Sequence, residues 1–214
     1  MNTMQHTKKS KKALLALATT LLLGGGLVLA GCSTTSSTTE IPEETEATHE
    51  DLDISTNPTP LTATEATLSL VDWGNKGALA DTDLTILDML TYAIQDEYTA
   101  RAEYEVIIDE FNTGTPYTNI IKSEETHIAY LTELFDAYGI ALPADTSSTH
   151  LAVPSSLLEA AKTGVQAELD NIAMYEKFLA QDGLPDDVKT VFTELMNASK
   201  SHLAAFENKV DKLS

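Results

Sequence analysis

The sequence predicts an all-α domain of four helices, arranged as two antiparallel hairpins that are joined by a long crossover. From residue 81 onward, apolar residues recur with the helical period of about 3.6 residues. No segment alternates with the period of two that a half-buried strand requires. The links within the two hairpins are only a few residues long, whereas the link between the hairpins covers residues 139–153.

Residues 1–31 have the pattern of a signal peptide. A lysine-rich start precedes an apolar run from Ala13 to Ala30, and small residues lead into Cys32. The run resembles a bacterial lipobox, which implies that Cys32 is lipidated and becomes the mature N-terminus. An ordinary cleaved signal and an uncleaved membrane anchor are the alternatives. Both the lipid anchor and the uncleaved anchor place the rest of the chain outside the cytoplasm, at the cell surface or in the periplasm. Since Cys32 is the only cysteine, the sequence excludes an intrachain disulfide and a thiolate metal site.

Residues 32–80 are predicted to form a disordered tether. A run of serine and threonine over residues 33–39 is followed by an acidic stretch and by Pro58 and Pro60. Such a composition buries too little apolar surface to offset the entropy of ordering. A short arm that docks on the domain is an alternative for its end, which contains Leu68, Leu70, Val71 and Trp73.

The charge of the chain is strongly acidic. The sequence has 33 acidic and 13 basic residues, and four of the lysines precede Cys32. The mature chain would therefore carry 9 basic and 33 acidic residues, a net charge of −24. This charge argues against nucleic acid and anionic lipid headgroups as partners. It is compatible with attraction of cations or simply with a solvated acidic surface.

Prolines and glycines set the predicted helix ends. Pro116 stands at a first helical position with Thr115 as its N-cap, and glycines follow the second and third helices. Short links make neighbouring helices antiparallel. The crossover can reach roughly 50 Å at about 3.3 Å per residue, which exceeds the roughly 35 Å length of the second helix. The four predicted helices cover residues 83–112, 116–139, 154–183 and 185–213.

Each predicted helix carries polar side chains into its apolar stripe. At 100° per residue, a glutamate or a histidine falls on the stripe of every helix at mid-length. The polar pair of the first helix recurs on the third helix after 71 residues (97 to 168). The pair of the second helix recurs on the fourth after 75 residues (124 to 199), which suggests an internal duplication. The pairs are Glu97 with Tyr104, Glu124 with His127, Glu168 with Tyr175, and Ser199 with His202.

Three buried carboxylates and two imidazoles need a source of positive charge. A buried carboxylate without a counter-charge costs several kcal/mol or takes up a proton. Divalent cations satisfy this need, and oxygen and imidazole ligands suit iron, manganese or zinc. Glu124 and His127 share one helix face, so both can reach the same ion or pair of ions. A bundle of satisfied polar residues that binds no metal is the alternative.

This constellation resembles the ferritin-like superfamily, in particular its rubrerythrin and bacterioferritin branches. There a di-iron centre takes one glutamate from each of two helices and a Glu-x-x-His pair from each of the other two. The local sequence at residues 96–101, 123–127 and 199–206 is most similar to an uncharacterised ferritin-like family, classed as a domain of unknown function. The resemblance covers about residues 81–213 and implies metal ligands at Glu97, Glu124, His127, Glu168 and His202.

The resemblance also implies roles around the metal. Tyr104 and Tyr175 match tyrosines that hydrogen-bond ligand carboxylates, and Arg101 is either a partner of a ligand or a surface arginine. Ser199 departs from the pattern, because it stands where the family has a bridging glutamate. Water, hydroxide or an outside anion could replace that ligand, or the site could hold one ion.

Two functional hypotheses follow from this pattern. The first is a membrane-anchored di-iron or mono-iron protein that reacts with oxygen or peroxide, as a ferroxidase or a peroxidase-like oxidoreductase does. The second is a structural or cation-binding lipoprotein without turnover. A homodimer is compatible with either hypothesis.

Overall fold

The computed structural model describes residues 52, 54, 58, 60–62 and 68–214. Within these residues the chain is helical and contains no strand, which confirms the predicted all-α class. None of the helices in this part is long and apolar enough to cross a membrane. Residues 1–31 and Cys32, and with them the predicted lipobox, lie outside the described residues. The helices are α1 (Gly74–Ala80), α2 (Ile86–Phe111), α3 (Tyr117–Ala137), α4 (Leu157–Leu179) and α5 (Asp186–Leu213).

Helix α2 begins later than predicted because a capping box defines its start. The Thr85 side chain accepts a hydrogen bond from the backbone N–H of Asp88, and the Asp88 carboxylate accepts from the backbone N–H of Thr85. This reciprocal pair satisfies two of the free donors at the helix N-terminus. The helix ends at Phe111, and its C-cap, Asn112, adopts the left-handed conformation with φ 45°.

The starts of the other long helices also differ from the prediction by one to three residues. Pro116 is the N-cap of α3, so the predicted cap at Thr115 lies one residue too early. Helix α4 begins three residues after Pro154, because the Ser156 side chain accepts a hydrogen bond from Glu159 N and caps the first turn. Pro185 is the N-cap of α5.

The four long helices pack as two sequential pairs. Helix α2 packs along α3, and α4 packs along α5, while α2 also meets α4 and α3 meets α5. The crossover after α3 contains a single 3-10 turn, Ser147–Thr149, that contacts α2. Helices α4 and α5 approach closely at Gly164, where an added Cβ would lie 2.9 Å from the ring of Phe206.

Residues 68–80, here called the N-terminal strap, dock on the bundle. The sequence assigns them to the disordered tether, with a short docking arm as the alternative. The structure agrees with the alternative, because these residues contain helix α1 and donate hydrogen bonds to α2. Ser69 N donates to Asp88 Oδ1 at 2.7 Å, and Gly74 N donates to Gln95 Oε1 at 3.0 Å. Buried polar side chains of α2 therefore provide the acceptors that hold the strap, which makes it part of the folded domain.

Side chains at both ends of α1 add further contacts. Trp73 stacks on His150 of the crossover, with ring centroids 4.0 Å apart and an interplanar angle of 12°. Its Nε1 donates to Thr99 Oγ1 at 2.9 Å. At the other end, the Lys177 ammonium of α4 donates to the backbone carbonyls of Ala78, Leu79 and Asp81. The strap thus bridges α2, α4 and the crossover.

Candidate metal centre

The five predicted ligands lie together inside the bundle. Helix α2 contributes Glu97, α3 contributes Glu124 and His127, α4 contributes Glu168, and α5 contributes His202. Their exposed fractions range from 1% for Glu97 to 7% for His202. The helical periodicity therefore identified an inward position on each of the four long helices.

These side chains form two groups that share Glu124. The first group is Glu97, Glu124 and His127, and the second is Glu124, Glu168 and His202. Within each group, one possible ligand atom from every residue lies within 4.8 Å of the others. Such spacing allows three side chains to reach a common ion, and the shared carboxylate could bridge two ions.

The first group is the more tightly packed of the two. His127 Nδ1 lies 3.0 Å from Glu97 Oε2 and 3.0 Å from Glu124 Oε2. The other ring nitrogen, Nε2, lies 3.1 Å from the hydroxyl of Ser123. Both nitrogens of this imidazole therefore have partners, one toward the carboxylates and one toward a serine of the same helix.

The second group is looser. His202 Nδ1 lies 3.4 Å from Glu124 Oε1 and 3.5 Å from Glu168 Oε1. The rings of His127 and His202 have centroids 5.8 Å apart, so the two imidazoles approach Glu124 from neighbouring positions. Each oxygen of Glu124 thus faces a different histidine.

Two tyrosines cross between α2 and α4 to reach the glutamates. Tyr175 of α4 donates its hydroxyl to Glu97 Oε1 at 2.7 Å, and Tyr104 of α2 donates to Glu168 Oε1 at 3.0 Å. Burial raises the pKa of both hydroxyls well above the ordinary value, so they remain protonated donors. The arrangement has an approximate two-fold character that matches the repeated sequence pattern.

Burial and mutual charge set the protonation of the first group. Burial raises the pKa of Glu97, but the charge of His127 and nearby hydrogen bonds outweigh it and lower the pKa to about 2. Burial and the charge of Glu97 raise the pKa of Glu124 well above its ordinary value. Burial lowers the pKa of His127, but the charge of Glu97 and hydrogen bonds to both carboxylates raise it to about 10. When no ion is bound, Glu124 and His127 therefore both hold a proton more readily than they do in water.

The residues present fit a divalent cation. Carboxylate oxygens and imidazole nitrogens are ligands for iron, manganese and zinc. In addition, Glu168 Oε2 is buried and has no hydrogen-bond partner among the described residues. Buried polar atoms are normally satisfied, so an orphaned oxygen on a carboxylate that lies beside His202 is consistent with a ligand atom.

Two further predicted residues donate their hydrogen bonds outside the cluster. The Arg101 guanidinium donates to Asp145 Oδ2 of the crossover at 2.7 Å and lies over the ring of Tyr98, which is the behaviour expected of the surface-arginine alternative. Ser199 is buried, but its hydroxyl donates to the carbonyl of Leu195 at 3.0 Å, one turn earlier in α5. The proton of the serine hydroxyl is therefore used for a hydrogen bond within α5.

Sequence reasoning missed the contact between Ser123 and His127. The four-residue spacing places both side chains on one face of α3, which was the available signal. Spacing alone could not show that the serine reaches Nε2, because that depends on the rotation of the imidazole ring.

Comparisons with known proteins extend only to the fold. No family model matches the chain, and no curated protein matches it. Among solved structures, the chain is similar to a hypothetical protein from Methanococcus jannaschii DSM 2661, with a TM-score of 0.53 and 23% sequence identity. The similarity covers 62% of this chain and 85% of that protein. At this level of identity the likeness concerns the helical fold alone.

Proposed function

We propose that this chain is a ferritin-like metal-binding protein that holds one or two iron ions between its four long helices. The observation that carries the proposal is the pair of buried groups, Glu97–Glu124–His127 and Glu124–Glu168–His202, which share one carboxylate. Each long helix contributes at least one member, as the di-iron bundles of the ferritin-like superfamily require. Manganese or zinc would fit the same donors.

In this proposal the protein residues position and desolvate the site. Glu124 is oriented between the two histidines, while Tyr175 and Tyr104 hold Glu97 and Glu168 by one oxygen each. Iron, when bound, would supply one-electron chemistry toward oxygen or peroxide. The tyrosine hydroxyls keep the ligand carboxylates in fixed orientations, and the surrounding apolar side chains exclude bulk water.

A second candidate is metal binding without turnover. The observation that favours it is Ser199, which stands where the resemblance expects a bridging glutamate and whose hydroxyl faces the Leu195 carbonyl. A centre with three carboxylates instead of four offers less negative charge to stabilise an oxidised pair of ions.

The location proposed for the protein is the outer face of a membrane. The support is the sequence of residues 1–32 alone, in which an apolar run leads to Cys32 as in a lipobox. Mass spectrometry of the mature N-terminus tests this. A diacylglyceryl group on Cys32 is the expected result, and an N-terminus at any other residue would contradict it.

Metal loading tests the central proposal. The full chain is freed of metal, loaded with Fe(II) without oxygen, and its bound iron is measured. It is then mixed with oxygen or peroxide while the near-ultraviolet absorbance is recorded. We expect bound iron and an absorbance change on oxidation. Iron that binds but gives no such change would favour the second candidate, and only trace metal under every loading condition would contradict both.

A matched pair of variants locates the iron. Glu124→Gln removes the carboxylate that both groups share, whereas Glu125→Gln changes the exposed neighbour on the same helix. We expect Glu124→Gln to abolish iron binding and Glu125→Gln to leave it unchanged. Equal iron contents in the two variants would show that any bound iron lies elsewhere.

A further inference from the structure

The two halves of the centre are related in sequence, but the residues that precede their histidines differ. An offset of 75 residues relates Glu124 to Ser199 and His127 to His202. The same offset relates Ser123 to Ala198. The residues before both histidines therefore differ between α3 and α5 in two chemically important ways.

The first difference concerns the far nitrogen of each imidazole. Ser123 Oγ lies 3.1 Å from His127 Nε2. If the hydroxyl accepts from Nε2–H, the lone pair of Nδ1 points toward Glu97 and Glu124, which is the tautomer that a metal ligand needs. Ala198 has no hydroxyl, so α5 cannot make the corresponding contact to His202. Partners of this kind fix the orientation of a ligating histidine.

The second difference concerns the carboxylate. Glu124 offers one oxygen to each half, whereas Ser199 has no carboxylate and its hydroxyl donates to Leu195 O. The distances follow the same trend: Nδ1 lies 3.0 Å from its carboxylate oxygens in the first half and 3.4–3.5 Å in the second. Glu168 Oε2 remains without a hydrogen-bond partner among the described residues.

We infer that the centre has two unequal metal positions, with Ser123 as the positioning residue of the stronger one. This inference rests on the proposed metal-binding function and adds an order of filling to it. The Glu97–Glu124–His127 position fills first. The Glu124–Glu168–His202 position fills second, binds more weakly and exchanges its ion with solution more readily.

The test is a calorimetric and optical titration of the metal-free full chain with Co²⁺. The expected result for the unaltered chain is two binding steps that differ at least about tenfold in affinity, or a single ion if the second position is very weak. His127→Ala should remove the tight step, whereas His202→Ala should remove only the weak one. Two ions of equal affinity, or loss of the tight step in His202→Ala, would overturn the inference.

Exchanging the neighbours of the two histidines tests the role of Ser123. Losing such a partner typically weakens metal binding by about 10- to 100-fold. We expect Ser123→Ala to weaken the tight binding step by that factor and to leave the weak step unchanged. Ser123→Thr keeps the hydroxyl and should keep the affinity of the tight step. Ala198→Ser and Ser199→Glu should each strengthen the weak step. An unchanged tight step in Ser123→Ala would refute the role of Ser123.

This titration separates the failure of the inference from the failure of the proposed function. If no Co²⁺ binds to the unaltered chain, the proposed metal-binding function fails. If two ions bind equally, that function stands and the inequality is wrong. Circular dichroism of each variant confirms that the helices are retained, and Ser201→Ala, at an exposed position of α5, serves as the matched control.

Discussion

Two buried tyrosines each satisfy one oxygen of a glutamate on the opposite helix pair. Tyr175 donates to Glu97 at 2.7 Å, and Tyr104 donates to Glu168 at 3.0 Å. A hydrogen bond to a charged group contributes about 1.5–3 kcal/mol, and losing one partner leaves the other unsatisfied in the interior. These hydroxyls therefore offset part of the cost of keeping carboxylates in the core.

Tyr175→Phe should destabilise the metal-free protein by about 1.5–3 kcal/mol, because the Oε1 atom of Glu97 loses its donor. Tyr117→Phe is the matched control, since its buried hydroxyl has no hydrogen-bond partner among the described residues. The control should be neutral or slightly stabilising. Urea unfolding, followed by circular dichroism, gives both free energies of unfolding. Equal losses in the two variants would show that the bond between Tyr175 and Glu97 contributes nothing specific.

Part of the centre was predictable residue by residue. Glu97, Glu124, His127, Glu168 and His202 lie where a 100° rotation per residue puts them, because the long helices are regular. The hydrogen-bond partner of a hydroxyl could not be predicted in this way. Ser199 occupies an inward position, yet its side chain satisfies a carbonyl of its own helix, a local competition that periodicity does not reveal.

At the scale of elements, the N-terminal strap depends on contacts with the rest of the domain. Helix α1 has only seven residues, two of them glycine, and it follows an acidic segment of low hydrophobicity. Composition and period therefore predict no helix there, although the apolar side chains at its start indicated a docking arm as an alternative. The strap owes its order to acceptors on α2, such as Asp88 and Gln95, and to Lys177 on α4. These tertiary contacts cannot be read from the local sequence.

Gly77→Ala should detach the strap. A Cβ at this position would lie 2.5 Å from Tyr92 Cε1 and 2.6 Å from the backbone of Asp72, so one of them must move. Trp73 is the only tryptophan of the chain, which makes its emission a direct reporter of the strap. We expect a red shift of the emission as Trp73 leaves His150.

Gly114→Ala is the control for this prediction. Nothing lies within 4 Å of a Cβ added at Gly114, which is in the link between α2 and α3. Its emission should match that of the unaltered chain. An unshifted spectrum in Gly77→Ala would mean that the strap accommodates the methyl group without leaving the bundle.

For the whole molecule, buried tyrosines predict how stability depends on pH. Burial raises the pKa of Tyr92 and of Tyr117 to about 12, whereas an unfolded tyrosine titrates near about 10. The folded state therefore binds these protons more tightly than the unfolded state does. Their contribution is complete below about pH 10 and is lost as the pH rises toward about 12.

Urea unfolding at about pH 9 and about pH 11 measures this loss. Tyr117→Phe removes one of the tyrosines with a raised pKa without breaking a described hydrogen bond, so the free energy of unfolding of this variant should fall less between the two pH values. Lysines and other groups titrate equally in both proteins and cancel in the comparison. The same fall in both would contradict the assigned shift of Tyr117.

The contact between Lys177 and the end of α1 has a practical consequence for expression of the domain. The ammonium reaches the carbonyls of Ala78 and Leu79, so a fragment that starts at Asp81 would remove two of its acceptors. The same fragment would also lose the strap donors that pair with Asp88 and Gln95 of α2. Such a truncation should destabilise the domain even though it keeps the four long helices. The boundary for a recombinant fragment therefore belongs before Leu52, because Leu52, Ile54 and Leu61 also pack against the core.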